Sequence, residues 1–143
     1  MLFSRSVAPD TLVIRGGRVI DPGAGLDGSF DVVVSEGIIT ALEPSAETTQ
    51  GLVVAPAFVD QHVHLRVPGR EDEETLATGT AAAAAGGYCA IVAMPNTEPP
   101  VDGAAVLSAL VDQARAEAVV PTGFMAAISK GLKGEELDRK SVV

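Results

Sequence analysis

The sequence predicts an α/β fold in which a small hairpin-forming β region precedes the first units of a parallel sheet. Up to about residue 56, short Val/Ile-rich runs are separated by Gly, Pro and Asp, which is the pattern of β-hairpins. After residue 56, strand-like and helix-like segments alternate, as in the βαβ units that build parallel sheets and barrels. We therefore expect two regions, residues 1–55 and 56–143.

The first region contains three β-type runs, at residues 11–21, 31–44 and 51–58. Glycine and proline clusters between them, such as DPGAGLDG, predict tight turns, and the runs predict a small sheet or one part of a β-sandwich. Glycines can also bind phosphate, but these match neither the dinucleotide-binding nor the P-loop pattern. We therefore interpret them as turn residues.

The second region predicts three strands and two helices. The middle strand, YCAIVAMP, is continuously apolar, as expected for a strand buried on both faces, and its Cys89 is predicted to be a buried structural thiol. Gly86 and Gly87 mark the end of the first helix, and Asp102 is a plausible N-cap of the second. The predicted strands span residues 57–65, 88–95 and 119–128, and the predicted helices span residues 73–87 and 102–118.

The second helix has one apolar face. Its hydrophobic residues recur at helical spacing, so they are expected to pack on the sheet. They are Val106, Leu107, Leu110, Val111, Ala114 and Ala118.

Charge and composition exclude several classes of partner. Ten Lys and Arg against 19 Asp and Glu give a net charge of -9, which argues against nucleic acid and anionic membranes as partners. No apolar run is long enough to span a bilayer, and the N-terminus lacks the pattern of a signal peptide. One cysteine cannot form an internal disulfide. We expect a cytoplasmic protein.

Both histidines of the chain lie at the end of the first parallel strand, in the segment DQHVHLR. Side chains two residues apart on a strand point the same way, so Asp60, His62 and His64 share one face. Two such imidazoles form a chelating pair for zinc or a similar divalent ion, and Asp60 could orient one of them. The alternative is two solvated polar residues at a strand end.

Arg66 and Asn96 follow the ends of two neighbouring strands. A guanidinium offers a forked pair of donors that suits a carboxylate, and an amide adds another donor. Prolines at positions 95, 99 and 100 restrict the loop that carries Asn96. Together these residues predict a site for a small anionic substrate; singly, Arg66 could form a surface salt bridge and Asn96 could be a turn residue.

Residues 51–102 resemble the N-terminal signature of dihydroorotases, in the amidohydrolase superfamily. The family pattern runs roughly D-x-H-x-H-x-R-x-P-G, E-T-x-x-T-G-x-x-A-A-x-x-G-G and M-P-N-T-x-P. The segment AAISKGLKGEEL is similar to the third-strand region of the family, so the resemblance extends over residues 11–137. The matching positions are Asp60, His62, His64, Arg66, Pro68, Gly69, Glu74, Thr75, Thr78, Gly79, Gly86, Gly87, Met94, Pro95, Asn96, Thr97 and Pro99.

The resemblance implies a (β/α)8 TIM-type metal-dependent hydrolase barrel beside a small β-sandwich, with one or two zinc ions at the barrel mouth. It implies the interconversion of N-carbamoyl-L-aspartate and dihydroorotate in pyrimidine biosynthesis. His62 and His64 match the first two metal ligands, and Arg66 and Asn96 match the residues that bind the substrate carboxylate. The partners it implies are a second copy of the chain or aspartate carbamoyltransferase.

Some positions depart from the family pattern, and other activities compete with this one. Val67 stands where Glu is usual, Glu73 where Lys is frequent, and Tyr88-Cys89-Ala90 where Phe-Thr-Thr is frequent. The alternatives are an allantoinase, a hydantoinase or a non-catalytic dihydroorotase-like partner of aspartate carbamoyltransferase. Allantoinases usually have Asn at the position of Arg66, and hydantoinases generally lack M-P-N-T. Degenerate partners tend to lose the histidine pair.

The length predicts an incomplete barrel. A (β/α)8 barrel needs about 250 residues, whereas this chain has 143. In the family, the bridging ligand, the further histidines and the catalytic aspartate belong to strands 4 to 8. We therefore expect no catalytic acid or base within this chain, and we expect the ending ELDRKSVV to reflect a truncation or a fragment.

Overall fold

The computed structural model of the chain describes residues 10–137. Residues 1–9 lie outside the described residues, and so do residues 138–143, the last six of the ending ELDRKSVV considered above. The chain divides into two compact units, with the boundary between Pro56 and Ala57. Within residues 10–137, neither helix has the length and apolar character that crossing a membrane requires.

The N-terminal unit is a four-stranded sheet in the order β3-β2-β1-β4. The β1–β2 and β2–β3 pairs are antiparallel, whereas β4 pairs with β1 in parallel. The described residues of this unit form a single sheet, so the sandwich stays a prediction. The strands are β1 (Thr11–Asp21), β2 (Leu26–Ser35), β3 (Ile38–Pro44) and β4 (Val53–Val54).

Short-range turns form this sheet, as the hairpin pattern predicted. The Asp21 carboxylate accepts hydrogen bonds from the backbone N–H groups of Gly23 and Ala24, which closes the turn between β1 and β2. A bulge in β1 lies between Ile14 and Gly17. The prediction of hairpins is confirmed for β1–β2 and β2–β3. The predicted run at residues 31–44 contains the turn between β2 and β3, and β4, within the third predicted run, pairs with β1 in parallel, so that run does not form a hairpin.

The C-terminal unit contains three parallel strands in the order β5-β6-β7, connected by two helices. The predicted alternation of strand and helix is confirmed, although the strands are shorter than predicted. The elements are β5 (Phe58–Val63), α1 (Leu76–Ala85), β6 (Tyr88–Ala93), α2 (Ala104–Glu117) and β7 (Thr122–Phe124). A 3-10 turn follows at Lys130–Leu132.

Helix α1 begins at a capping box, three residues later than predicted. The Thr75 hydroxyl accepts from the Thr78 N–H, and the Thr78 hydroxyl accepts from the Thr75 N–H, so two N–H groups at the helix start are satisfied. Gly86 is the C-cap, as predicted. A Cβ atom at Gly79 would lie 2.5 Å from Leu65 Cδ2, so the absent side chain allows α1 to pack closely on the residues after β5.

The prediction that Asp102 caps α2 is wrong. The N-cap is Gly103, and no side chain caps this helix. The Asp102 carboxylate instead accepts a hydrogen bond from the backbone N–H of Gly131, 29 residues further along the chain, at 2.7 Å. The Asp102 side chain therefore makes a tertiary hydrogen bond and does not cap the helix.

Both helices pack on the sheet through one core. Leu76 from α1 and Ile91 from β6 are almost completely buried. The predicted face of α2 is confirmed, because Leu110, Val111 and Ala114 are buried in this core and the remaining three residues of that face pack against it. The core cluster comprises Leu65, Val67, Leu76, Ile91, Ala93, Val101, Leu110, Val111, Ala114, Val120 and Phe124.

Strand β6 is buried only in its second half, so two predictions about it are wrong. Ile91, Val92 and Ala93 are buried, but Tyr88 and Ala90 are only partly buried and Cys89 is exposed. The apolar run is continuous, but only its second half is buried, and at its start Tyr88 packs against the edge of the core. The thiol of Cys89 is therefore at the surface.

Candidate functional site

The candidate site lies where β5 ends, and its side chains alternate between solvent and core. His62, His64 and Arg66 are exposed, whereas the two residues that follow the histidines, Val63 and Leu65, are partly and fully buried. This alternation is that of an extended chain with one face on the core. The structure therefore places both imidazoles and the guanidinium on the same, outward side of the segment.

The two imidazoles are close enough to share one ion. Their ring centroids lie 5.1 Å apart, with an angle of 63° between the ring planes. Two imidazoles that bind one tetrahedral zinc at about 2.1 Å have ring centres about 5 Å apart. The pair fits a shared metal ion, but the described residues contain no group of three or more His, Cys, Asp or Glu side chains that could hold one.

Asn96 contacts His64 across the two loops. The distance from His64 Nδ1 to Asn96 Oδ1 is 2.8 Å. Since an amide oxygen only accepts, Nδ1 carries the proton, and in a neutral ring Nε2 keeps its lone pair. Sequence reasoning assigned Asn96 to a substrate carboxylate; here its oxygen orients an imidazole, while its amide NH2 group retains donors.

Asp60 contacts the backbone of the histidine segment. Its Oδ1 accepts from the N–H of His62 at 3.0 Å, so the carboxylate holds the segment that carries the imidazoles. Asp60 and His64 also line a cavity of about 280 Å³ between α1 and the sheet, together with Glu74 and Tyr88. Asp60 was predicted to orient an imidazole, whereas in this structure it contacts the main chain of His62.

Arg66 forms an exposed salt bridge, which was the alternative that the sequence left open for it, and its partner Glu73 belongs to a wider ion-pair network that sequence reasoning missed. The Arg66 Nε lies 3.3 Å from Oε2 of Glu73. The other oxygen of Glu73 accepts from Nη2 of Arg70, whose Nε also contacts Asp72 at 3.2 Å. The hydrogen bond and charge of Asp72, followed by the charge of Glu73, raise the pKa of Arg70. The acidic run E-D-E-E that follows Arg70 was the available signal in the sequence.

The loops after β5 and β6 are joined by a backbone contact. The Glu98 N–H donates to the Pro68 carbonyl at 3.0 Å. Next to it, Gly69 has φ +109°, and a Cβ atom there would lie 2.2 Å from the Glu98 carbonyl oxygen. Only glycine fits this approach. The P-G dipeptide thus fixes the loop of Arg66 against the loop of Asn96.

Sequence comparison with known proteins assigns the chain to one family. Residues 51–142 match the family model described as Dihydro-orotase-like. The curated protein named Dihydroorotase from Solibacter usitatus is 47% identical over 133 residues, which cover 88% of this chain and 31% of that protein. The one from Citrifermentans bemidjiense is 42% identical over 134 residues, with 88% and 32% covered. The chain therefore spans about a third of the length of these relatives.

Solved structures show the same kind of fold. L-hydantoinase (dihydropyrimidinase) from Arthrobacter aurescens superimposes with a TM-score of 0.63 at 19% identity, covering 82% of this chain and 28% of that chain. Dihydropyrimidinase from Brevibacillus agri gives a TM-score of 0.58 at 27% identity, covering 83% and 27%. The mixed α/β fold is thus that of the corresponding part of hydantoinases, and the sequence match over residues 51–142 is specific: the chain belongs to the dihydro-orotase-like family.

Proposed function

We propose that this chain forms the first part of a zinc-dependent cyclic amidohydrolase that interconverts N-carbamoyl-L-aspartate and dihydroorotate in pyrimidine biosynthesis. The observation that carries the proposal is the common outward side of His62, His64 and Arg66, with Asn96 in contact with His64. Side chains that can bind a metal ion therefore lie next to hydrogen-bond donors that can bind a carboxylate. A reaction on an anionic cyclic amide requires both groups to be close together.

His62 and His64 would hold the metal ion. A zinc ion held by these residues would supply a water activated at neutral pH and a positive charge that polarises the amide carbonyl. The contact with Asn96 oxygen fixes the His64 ring and leaves Nε2 as its ligand atom. Asp60 holds the main chain of His62, so the backbone that carries this imidazole is fixed at that point.

Arg66 would bind the substrate carboxylate. Its side chain is about half exposed and follows His64 by two residues. A ligand bound at the imidazoles would therefore be within reach of the guanidinium donors. The NH2 group of Asn96 would add a second donor. Two donors from different loops define the orientation of a planar carboxylate better than one.

The described residues supply a partial site. Catalytic zinc typically has three protein ligands, and we propose that the remaining ligands and the proton-transferring group come from barrel strands outside residues 10–137. We further propose that the (β/α)8 barrel is incomplete in this chain. Its partners would be a second copy of the chain or aspartate carbamoyltransferase.

A second candidate substrate is an uncharged cyclic amide of the dihydropyrimidine type. The 27% identity with the Brevibacillus agri dihydropyrimidinase favours it. Arg66 favours the anionic substrate, because an uncharged ring offers no carboxylate to a guanidinium. Comparing turnover of dihydroorotate with that of dihydrouracil separates the two.

The test of the proposal uses a complete enzyme, meaning a protein in which this chain is followed by the remaining strands of the barrel. Replacing both histidines, His62→Ala and His64→Ala, should remove bound metal and dihydroorotate turnover together. Gln61→Ala is the matched control, because Gln61 is an exposed residue of β5 directly before His62. It should leave metal content and turnover unchanged.

The measurement is metal content per chain after dialysis, alongside ring opening of dihydroorotate. Normal metal content in the double variant would remove these histidines from the metal site. Loss of metal in the Gln61→Ala control would show that the strand itself, and not the imidazoles, had been damaged.

A further inference from the structure

Glu73 occupies the guanidinium that the proposed function assigns to the substrate. Its Oε2 lies 3.3 Å from Arg66 Nε, and its Oε1 accepts from Arg70 Nη2. A carboxylate of the protein therefore stands where a carboxylate of the substrate is expected to bind. The inference that follows rests on the proposed function.

The main chain brings Glu73 back to Arg66. The Arg70 N–H donates to the Arg66 carbonyl at 2.8 Å, and the Glu73 N–H donates to the Arg70 carbonyl at 3.0 Å. These two bonds form consecutive turns between the end of β5 and the start of α1. The Thr75 cap of α1 follows at once, so the position of Glu73 is determined at both ends.

The Arg66–Glu73 pair is easily broken. The side chains of Arg66 and Glu73 are 47% and 44% exposed, so water screens their attraction. The second guanidinium, on Arg70, keeps a partner for Glu73 when Arg66 is released. A ligand carboxylate can therefore replace Glu73 on Arg66 without leaving a buried charge.

The local charge makes this competition important. Residues 70–74 carry four carboxylates and one guanidinium. Two of these carboxylates, on Asp72 and Glu73, contact Arg70, and only Glu73 contacts Arg66. An anionic ligand that binds Arg66 must therefore displace Glu73, whereas the other three carboxylates of residues 70–74 do not have to be displaced from Arg66.

We propose that Glu73 is a specificity-determining residue that competes with the substrate carboxylate for Arg66. It holds the guanidinium in the ligand-free protein and is displaced onto Arg70 when an anionic substrate binds. Glu73 weakens binding of every carboxylate ligand by the cost of that displacement, and it does not take part in the chemical step.

The kinetic test compares Glu73→Gln with Asp72→Asn in the complete enzyme, with dihydroorotate as substrate. Both changes remove one negative charge, but Asp72 contacts only Arg70 among these arginines. Glu73→Gln should lower KM about two- to fivefold, the factor expected for release of one exposed ion pair, with kcat little changed. Asp72→Asn should change KM less.

A second measurement uses the 143-residue chain and needs no activity. Nuclear magnetic resonance of the arginine Nε–Hε groups reports how fast each exchanges with water. Exchange at Arg66 should become faster in Glu73→Gln and stay unchanged in Asp72→Asn. Unchanged exchange at Arg66 in Glu73→Gln would overturn the proposal, because the ion pair would then be absent in solution.

The outcomes separate this inference from the proposed function. An unchanged or raised KM in Glu73→Gln overturns competition, and an equal decrease in both variants reduces it to a general field effect. Arg66→Gln tests the function itself, since it should raise KM for dihydroorotate. If Arg66→Gln leaves KM unchanged, the carboxylate site at Arg66 fails; if only the Glu73 result fails, that site stands.

Discussion

The two units of the chain are stabilised by different interactions. Of the fifteen buried hydrophobic residues in the described part of the chain, two, Val19 and Val32, lie in the N-terminal sheet and the other thirteen lie in the C-terminal unit. The sheet has long antiparallel ladders between neighbouring segments, whereas the C-terminal unit has short parallel strands joined through helices. Backbone pairing dominates the first unit, and side-chain burial dominates the second.

This difference matters for the site. All the candidate site residues lie in the unit with the buried core, and His62, His64 and Arg66 are exposed on a segment in which Leu65 and Val67 are buried. Such a core fixes the backbone from which the functional side chains project. Substitutions in the two units should therefore have different costs.

The largest effect is expected for Leu76→Ala. Leu76, the first residue of α1, is completely buried, so the truncation leaves a cavity and should lower the free energy of unfolding of the C-terminal unit by about 2–5 kcal/mol. Urea titration followed by the fluorescence of Tyr88 measures this, since Tyr88 is the only tyrosine, the chain has no tryptophan, and the residue lies on β6.

Ile39→Ala is the matched change in the sheet. Ile39 is 62% exposed on β3, and its truncation should cost about 0.5 kcal/mol or less, measured by urea titration with far-ultraviolet circular dichroism. Equal costs for the two variants would contradict the comparison between the units.

An intermediate effect is expected for Thr80→Val. The buried Thr80 hydroxyl donates to the Leu76 carbonyl at 2.6 Å and accepts from the Val119 N–H at 3.0 Å, which ties α1 to the segment before β7. Valine keeps the shape but leaves the partly buried Val119 N–H without that acceptor. The same urea titration should show a loss of about 1–3 kcal/mol.

Thr40→Val provides the control in the sheet. The Thr40 hydroxyl is exposed and donates to the Val33 carbonyl at 3.3 Å, so water can replace this bond. The change should stay within about 0.5 kcal/mol of zero. A loss as large as that of Thr80→Val would show that hydroxyl contacts are equally important in both units.

The smallest effect is expected from pH on the sheet. The Gly16 N–H, followed by the Ser45 hydroxyl, lowers the pKa of Asp31. Because the folded pKa lies below the unfolded value of about 3.9, this carboxylate stabilises the sheet above that pH, and the contribution is lost as pH falls through the folded pKa. Asp31→Asn should therefore lower Tm slightly near neutral pH and approach the wild-type Tm in strong acid. A difference in Tm that is independent of pH would contradict this.

Much of the fold could be predicted from the sequence because its determinants are local. Hairpin strands followed from Val/Ile runs between turn residues, and the inward face of α2 followed from the spacing of Leu110, Val111 and Ala114. The proximity of His62 and His64 followed from strand periodicity. In each case the relevant residues are close in sequence, so backbone geometry alone determines which side they share.

The tertiary structure decided the features that depend on residues far apart in sequence. The contact of His64 with Asn96 spans 32 residues, and that of Asp102 with Gly131 spans 29, so neither has a local signal. The prediction that Cys89 is buried was wrong. Hydrophobicity indicates that a side chain can be buried, but it does not indicate whether another element packs over that side chain. Local sequence determined which residues share a side of each element. Only packing between elements decided what those residues contact, because that depends on how separate loops and helices approach one another in space.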